Sequence, residues 1–176
     1  MSGAARHIER LVRPVPDWPQ AGVVFRDISP LLGDATAWAE VVDELSEQIG
    51  DLGRIDAVLG VEARGFLLGV AVARTLGVGF IPVRKAGKLP ADVVSSSYDL
   101  EYGSATIEMH ADALEPGARV VVVDDVLATG GTLQATIDLV NRVGAEVLAT
   151  AVMIEIDGLG GRDLLTGRPC LALHTF

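Results

Sequence analysis

The chain has 176 residues, 49% of them hydrophobic and 22% charged, which predicts one globular domain over residues 1–176 and excludes a disordered or fibrous protein. Its formal net charge of −10 argues against the basic face that nucleic-acid binding requires. Any anionic ligand must therefore be held by a local group of cations.

The most apolar segment, residues 66–83, contains Arg74 and Pro82. It is better interpreted as a buried helix followed by a buried strand than as a membrane span. The N-terminus has no apolar segment of the kind that secretory signals carry, so we expect a cytoplasmic protein.

The first elements of the chain are predicted to be short. An amphipathic N-terminal helix is followed by a proline-rich lead-in over residues 13–22, which cannot be helical throughout. A brief strand and a turn come next. Asp34 is then the expected N-cap of a helix in which Val41, Leu45 and Ile49 recur at helical spacing.

From Ile55 onward, predicted strands alternate with predicted helices. The strands cover residues 55–61, 79–83, 119–125 and 146–156, and the helices cover residues 65–76 and 131–143. Near-continuous apolar strands separated by helices predict an α/β fold with an open, mainly parallel sheet and helices on both faces. The lone Cys170 is expected in a late strand without a redox role, and the three histidines are too scattered to predict a metal site.

Residues 86–109 interrupt this alternation. Glycine, serine and proline punctuate the start of the segment, whereas residues 98–109 are compatible with a strand or hairpin. Long insertions in compact domains tend to be functional, so the segment is a candidate lid.

Two adjacent acids, Asp124 and Asp125, directly follow a run of four valines. Successive side chains of a strand point to opposite faces, so both carboxylates reach one ligand only if the strand stops at these residues. We therefore predict that it does, and that the acids face the crevice at the carboxyl ends of the strands. Paired acceptors suit the vicinal hydroxyls of ribose or a Mg²⁺ ion held partly through water.

The turn after the acids, LATGGT, suits a phosphate group. Its glycines allow backbone N–H groups to converge, its threonines add hydroxyls, and it opens a helix whose N-terminus favours an anion. No lysine follows the glycines, so this is not a Walker A loop, and it lacks the G-x-G-x-x-G dinucleotide fingerprint. Arg84, Lys85 and Lys88 form a local cation group that predicts a second anion-binding segment.

Residues 120–132 resemble the phosphoribosyl pyrophosphate (PRPP) motif of the type I phosphoribosyltransferases. Four other segments, FRDISPLL, GVEARGF, RKAGKLP and SYDLEYGSATIEMHADALEPG, resemble the adenine phosphoribosyltransferases of that family, in order and over nearly the whole chain. The resemblance implies the type I fold, with an N-terminal hood over residues 1–33 and a flexible lid loop over residues 86–109.

The implied activity is transfer of 5-phosphoribose from PRPP to adenine, which gives AMP and pyrophosphate in purine salvage. Glu101 on the lid is implied as the general acid/base at N7 of the purine, with Arg64 and Lys85 as catalytic cations and Tyr102 covering the site. The implied ligand contacts are Asp124 and Asp125 to the ribose hydroxyls; Ala128, Thr129, Gly130, Gly131 and Thr132 to the 5′-phosphate; Ala63, Arg64, Arg84, Lys85 and Lys88 to pyrophosphate; and Val24, Phe25 and Arg26 to adenine.

The resemblance further implies a Mg²⁺ ion carried by PRPP without dedicated protein ligands, a homodimer, and a cis peptide bond before Ala63. Two alternatives stay open at this point. One is a xanthine or guanine phosphoribosyltransferase, although no lysine follows Lys88 to donate to a 6-oxopurine. The other is a PRPP-sensing regulator without catalytic activity.

Overall fold

The computed structural model of the chain describes residues 1–99 and 104–176. Its helices are α1 (Gly3–Leu11), α2 (Ser29–Leu32), α3 (Ala35–Gly50), α4 (Arg64–Leu76), α5 (Gly131–Arg142) and α6 (Gly161–Leu164). Its strands are β1 (Arg13–Pro16), β2 (Val24–Asp27), β3 (Ala57–Val61), β4 (Gly79–Lys85), β5 (Val93–Asp99), β6 (Ser104–His110), β7 (Arg119–Leu127), β8 (Glu146–Glu155) and β9 (Cys170–Thr175).

Seven strands form one sheet in the order β5-β6-β4-β3-β7-β8-β9. The five strands from β4 to β9 in this order are parallel, whereas β6 pairs antiparallel with both β4 and β5. The predicted α/β fold with a mainly parallel sheet is confirmed. The chain winds outward in opposite directions from β3 and β7, so these central neighbours form the switch point where such sheets bind ligands.

Helices cover both faces of the sheet, and the valine run of β7 supplies both cores. Val121 and Val123 pack into the core beneath α3 and α4, while Val120 and Val122 pack into the core beneath α5. All four are fully buried. An uninterrupted apolar run is therefore the pattern of a central strand covered on both sides.

The two N-terminal strands form a small sheet of their own, whereas α1 packs into the core of the main sheet through Ile8. The proline-rich lead-in contains β1, which forms a two-stranded antiparallel sheet with β2. Asp34 caps α3 as expected, because its carboxylate accepts a hydrogen bond from the Ala37 N–H at 3.0 Å. The division into a hood over residues 1–33 and a lid stays a prediction.

The strand or hairpin that the sequence allowed over residues 98–109 begins earlier, at Val93, so the segment 86–109 is not a loop throughout. Strands β5 and β6 form an antiparallel hairpin that extends the main sheet through the pairs Arg84–Glu108 and Lys85–Ile107. Ile107 and Met109 are buried in the core beneath α5. The predicted lid residues Glu101 and Tyr102 lie outside the described residues.

Among the residues that the structure describes, none of the helices has both the length and the apolar character to cross a bilayer. The segment over residues 66–83 forms most of α4 and the start of β4, as expected from its arginine and proline.

Close packing of α4 against the end of β7 depends on Gly65. A Cβ atom at this position would lie 2.8 Å from Asp124 Oδ1 and 3.0 Å from the carbonyl oxygen of Val123. Because the second contact is with backbone, a side chain here would push the helix away from the strand.

We predict that Gly65→Ala destabilises the protein by about 1–3 kcal/mol, the usual penalty for overpacking. This penalty outweighs the gain of up to about 1 kcal/mol in helix propensity. Thermal or urea unfolding measures the difference. Gly79→Ala is the control, because a Cβ there meets nothing within 4 Å; equal effects of the two substitutions would contradict the packing argument.

Candidate functional site

A crevice of about 800 Å³ opens at the carboxyl ends of the central strands. Its walls come from the β1–β2 sheet, the β3–α4 turn, the ends of β4, β7 and β8, the β5–β6 hairpin and the turn before α5. Its lining residues are Gly22, Val23, Val24, Phe25, Arg26, Val61, Glu62, Ala63, Arg64, Lys85, Tyr98, Ile107, Asp124, Asp125, Val126, Ala128, Thr129, Thr132, Ile156 and Leu159. Segments far apart in sequence thus meet in one cavity.

A second, smaller cavity of about 80 Å³ lies at the turn between β7 and α5. It shares Asp124, Ala128, Thr129 and Thr132 with the large crevice and adds the two glycines of the turn. The turn therefore presents a small recess that continues from the larger cavity.

The strand that carries the acid pair does not stop at Asp124 or Asp125, as the sequence had suggested. It runs on to Leu127, pairing with β8 to that residue. Strand β3, however, pairs with β7 only as far as Val123. Beyond Val123 the β3 side of β7 is open, so both acids line the crevice without a break in the strand.

Burial sets the electrostatics of the acid pair. Burial, and next the negative charge of Asp125, raise the pKa of the Asp124 carboxyl well above its usual value. Burial also raises the pKa of Asp125, and the Arg64 guanidinium opposes that rise. The Nε atom of Arg64 lies 2.9 Å from Oδ2 of Asp125. Within the part of the chain that the structure describes, these two neighbouring buried carboxyls have only one cation, Arg64, to offset their charge. Ligands that bring hydroxyl donors or positive charge are therefore favoured at this site.

One oxygen of this pair is buried without a hydrogen bond from the described residues. Oδ2 of Asp125 is buried and accepts no hydrogen bond of good geometry from the residues that the structure describes. The contact with Arg64 is therefore an ion pair whose guanidinium is not aimed at the oxygen. This unsatisfied acceptor adds to the free-energy cost of burying the acid pair.

Arg64 begins α4, directly after a cis peptide bond between Glu62 and Ala63, which agrees with what the family resemblance implies. Its guanidinium lies 4.8 Å from the centre of the Phe25 ring, in addition to its contact with Asp125. Arg64 therefore connects the β1–β2 sheet with the acid pair, across the middle of the crevice.

The predicted cation group divides into residues that line the crevice and residues that do not. Lys85 lines it, whereas Arg84 and Lys88 do not. Nε of Arg84 lies 3.3 Å from Oε2 of Glu62, which also accepts a hydrogen bond from the Lys85 backbone N–H at 3.1 Å. Burial tends to raise the pKa of Glu62, but these two donors outweigh it and the pKa lies below its usual value. Glu62 thus stays anionic and neutralises Arg84.

The turn before α5 has the backbone geometry of an anion site. Gly130 precedes the helix with a φ of 83°, and no side chain caps the N-terminus. A Cβ at Gly130 would also lie 2.7 Å from the carbonyl oxygen of Gly161. The first N–H groups of this 12-residue helix lack intrahelical partners, and the residues that carry them, Gly131 to Leu133, line the recess.

The predicted base-binding residues Val24, Phe25 and Arg26 lie together on β2 and all line the crevice. The Trp18 ring packs edge-on against Phe25 with centroids 4.4 Å apart. The guanidinium of Arg26 lies 4.2 Å from the centre of the Phe176 ring. Aromatic contacts thus hold this short strand in place.

Sequence reasoning missed several residues at the crevice. Tyr98, Ile156 and Leu159 line it, and Trp18 supports Phe25 from behind. Tyr98 lies in the family-like segment SYDLEYGSATIEMHADALEPG but had no assigned role, and the other three lie outside every such segment. The one available signal was weak: Leu159 is a large apolar residue in the otherwise small and polar turn DGLGG.

Comparison with known proteins identifies similar folds and sequences. A family model described as Phosphoribosyl transferase domain matches residues 32–163. The curated adenine phosphoribosyltransferase of Thermobifida fusca is 54% identical over 169 residues, which cover 96% of this chain and 95% of that protein.

Two solved structures illustrate the similarity of the fold. An adenine phosphoribosyltransferase from Thermoanaerobacter pseudethanolicus superposes with a TM-score of 0.94 at 43% identity, covering 98% of this chain and 99% of its own. The Saccharomyces cerevisiae enzyme, solved with D-2,5-dideoxy-2,5-imino-altritol 1,6-bisphosphate and adenine, has a TM-score of 0.94 at 34% identity and covers 98% and 99% of the two chains.

We predict that Asp124→Asn stabilises the ligand-free protein at neutral pH but not in acid. The unfolded carboxyl titrates near 3.8, whereas the folded one holds its proton to higher pH. As pH rises above 3.8 the folded state therefore loses stability relative to the unfolded state, until it too ionises. Asparagine does not ionise, so the variant does not lose stability in this way.

Thermal unfolding at pH 4 and pH 8 measures this effect, with Asp112→Asn, at an exposed turn, as the control. The increase in melting temperature caused by Asp124→Asn is expected to be larger at pH 8 than at pH 4. The melting temperature of the control variant is expected to differ little from that of the original protein at either pH. A gain that is equal at both pH values, or larger in acid, would contradict the burial argument.

Proposed function

The chain belongs to the adenine phosphoribosyltransferases, within the phosphoribosyl transferase family, and we propose that its crevice transfers the 5-phosphoribosyl group of PRPP to adenine, giving AMP and pyrophosphate. The observation that carries this proposal is the joint position of the acid pair, the turn before α5 and β2 on one cavity. These are the parts that a ribose, a phosphate and a purine require.

The ribose 5-phosphate moiety of PRPP is assigned to the end of β7 and the turn that follows. Asp124 and Asp125 accept hydrogen bonds from the ribose hydroxyls, a role that suits them because both acids line the crevice. The 5′-phosphate occupies the small recess, where residues 128–132 offer N–H groups and threonine hydroxyls at the N-terminus of α5.

Pyrophosphate, the leaving group, is assigned to Ala63, Arg64 and Lys85, where the crevice carries positive charge. Arg64 contacts Asp125 in the ligand-free crevice, so it is already beside the carbon at which the bond to pyrophosphate breaks. Arg84 and Lys88 are assigned a supporting role, because Arg84 pairs with Glu62 and donates to the Lys88 carbonyl oxygen at 3.1 Å.

Adenine is assigned to the pocket between β2 and the end of β8. The Phe25 ring offers a stacking surface, and Leu159 and Ile156 add apolar area on the same cavity. Backbone groups around Val24 and Arg26 read the base edge, and a carbonyl oxygen accepts from the 6-amino group. This selection distinguishes adenine from 6-oxopurines, which present an acceptor at that position.

As the bond between the ribose carbon and pyrophosphate breaks, positive charge develops on the carbon and negative charge on the departing pyrophosphate. The carbon acquires oxocarbenium character, which the buried carboxylates favour, and the cations stabilise the leaving group. Holding both substrates in line can lower the barrier by about 7–11 kcal/mol. A closed lid would exclude the water that otherwise hydrolyses PRPP.

The crevice suits a Mg²⁺ ion that PRPP brings. The acid pair offers oxygen ligands, the kind that Mg²⁺ prefers. Within residues 1–99 and 104–176 there is no group of three acidic, histidine or cysteine side chains placed to enclose a metal. Substrate oxygens and water would therefore complete its coordination, and the ion would neutralise charge on pyrophosphate.

We also propose that the enzyme is cytoplasmic and homodimeric. PRPP is a multiply charged metabolite that does not cross membranes unaided, which favours a cytoplasmic enzyme. Leu67 and Val70, each about half exposed, lie on one face of α4 next to Arg64 and suit a contact with a second copy. Light scattering that gave the 18.4 kDa mass of a single chain would contradict the dimer.

The direct test is an assay with PRPP, Mg²⁺ and each of adenine, hypoxanthine, guanine and xanthine, with pyrophosphate release as the readout. Adenine is expected to give AMP at a rate well above the other bases, and chelation of Mg²⁺ with EDTA is expected to abolish turnover. A higher rate with guanine or xanthine than with adenine would mean that the preferred base is not adenine. Tight PRPP binding without turnover of any base would favour a PRPP-sensing regulator.

Glu101 is proposed as the general acid/base on the strength of the family resemblance. We predict that Glu101→Gln lowers kcat by roughly 10²–10⁴-fold, the usual contribution of proton transfer, with little change in the KM for PRPP. Steady-state kinetics check this, with Glu115→Gln in an exposed turn as the control. Near-normal turnover by Glu101→Gln would remove the assigned role.

A further inference from the structure

Tyr98, near the end of β5, reaches the turn before α5. The Thr132 hydroxyl donates a hydrogen bond to the phenolic oxygen of Tyr98 at 2.9 Å, between residues 34 positions apart. Both side chains are partly buried and both line the crevice. The hairpin and the phosphate turn are thus joined by one pair of hydroxyls.

The strand β5 sets the direction of the Tyr98 side chain. Side chains of β5 alternate, so Ser97 faces away from α5 and shares a hydroxyl hydrogen bond with Thr106 at 2.8 Å. Tyr98 instead packs against the core beneath α5. At the other end of the same helix, Arg142 donates to the Ser95 carbonyl oxygen. Strand and helix are therefore held together at both ends, and the phenol is aimed at the first turn of α5.

The hydrogen-bond direction matters because a hydroxyl has one hydrogen and two acceptor sites. In the ligand-free crevice, Thr132 gives its hydrogen to Tyr98. A phosphate is an acceptor, so a phosphate in the recess requires that hydrogen. Tyr98 has its own phenolic hydrogen, which can then be donated to the Thr132 oxygen.

We propose that Tyr98 is a positioning residue for the 5′-phosphate, acting through Thr132. When the phosphate binds, the hydroxyl pair reverses: Tyr98 donates to Thr132, and Thr132 donates to a phosphate oxygen. Among the described residues the Thr132 hydroxyl bonds to Tyr98 alone in the ligand-free crevice. With the phosphate bound it has two partners, and a donor that itself accepts a hydrogen bond becomes a better donor to an anion. This inference rests on the assignment of the phosphate to residues 128–132.

Tyr98→Phe tests the proposal because it removes the phenolic oxygen and keeps the ring in the core. We expect the Kd for ribose 5-phosphate, measured by calorimetry, to rise about three- to tenfold, the range for loss of one hydrogen bond. The KM for adenine at saturating PRPP is expected to stay within twofold of the original value, about the limit of such a measurement. An unchanged Kd for ribose 5-phosphate would overturn the proposal.

A double-mutant cycle with Thr132→Val separates positioning from simple packing. If Tyr98 acts through Thr132, Tyr98→Phe has no further effect on ribose 5-phosphate binding in the Thr132→Val background. Effects that multiply independently would overturn the proposal, because they would mean that Tyr98 acts without Thr132.

Ser97→Ala is the matched control, since it removes a hydroxyl pair from the opposite face of the same strand. It is expected to leave the Kd for ribose 5-phosphate unchanged, and an effect equal to that of Tyr98→Phe would overturn the proposal. The binding cycle does not require turnover. A protein that binds ribose 5-phosphate but makes no AMP would therefore refute the proposed reaction, while the cycle still decides the role of Tyr98.

Discussion

Two adjacent carboxyl groups are buried at the end of the central strand, and the surroundings of the crevice are arranged around them. Asp125 is 4% exposed, and its neighbour lies against the first turn of α4. Burying two acids side by side is unfavourable, because each loses hydration and repels the other. The fold tolerates this with one guanidinium, from Arg64, and with a glycine that lets α4 approach. The remaining demand for donors is the property that a ribose can satisfy.

Around the crevice of this acidic protein, some charged side chains pair with each other and others face the cavity. Glu62 and Arg84 neutralise each other beside the crevice, and Glu62 also fixes the backbone where β4 ends. That arrangement leaves Arg26, Arg64 and Lys85 as the cations on the crevice wall among the described residues. A net charge of −10 is therefore compatible with an anionic substrate, because binding depends on the few charges that face the ligand.

Elements at the periphery complete the crevice. The β1–β2 sheet brings Phe25, and the hairpin brings Tyr98 to the turn before α5. Each is attached to the central sheet by contacts between distant parts of the chain, such as the Arg26–Phe176 stacking. The binding surface is thus divided among a rigid centre that holds charged groups and attached edges that supply aromatic ones.

The sequence by itself determined the α/β class, the central position of the valine run and the presence of an acidic pair followed by a phosphate-binding turn, because these depend on local periodicity and turn chemistry. It also determined the family, through five ordered segments. The extent of β7 beyond Asp125 was not predictable in this way, since it depends on how far β3 continues beside it. Residues 86–109 were interpreted as a lid loop, with a strand or hairpin possible only from residue 98, because the serine run of β5 lacks an apolar pattern. The pairing of the hairpin with β4 is not encoded locally. Leu159 lies in no motif, and Tyr98 lies in a family-like segment that assigned it no role. Only strand pairing shows that both line the crevice, because contacts between distant segments are not encoded within any one of them.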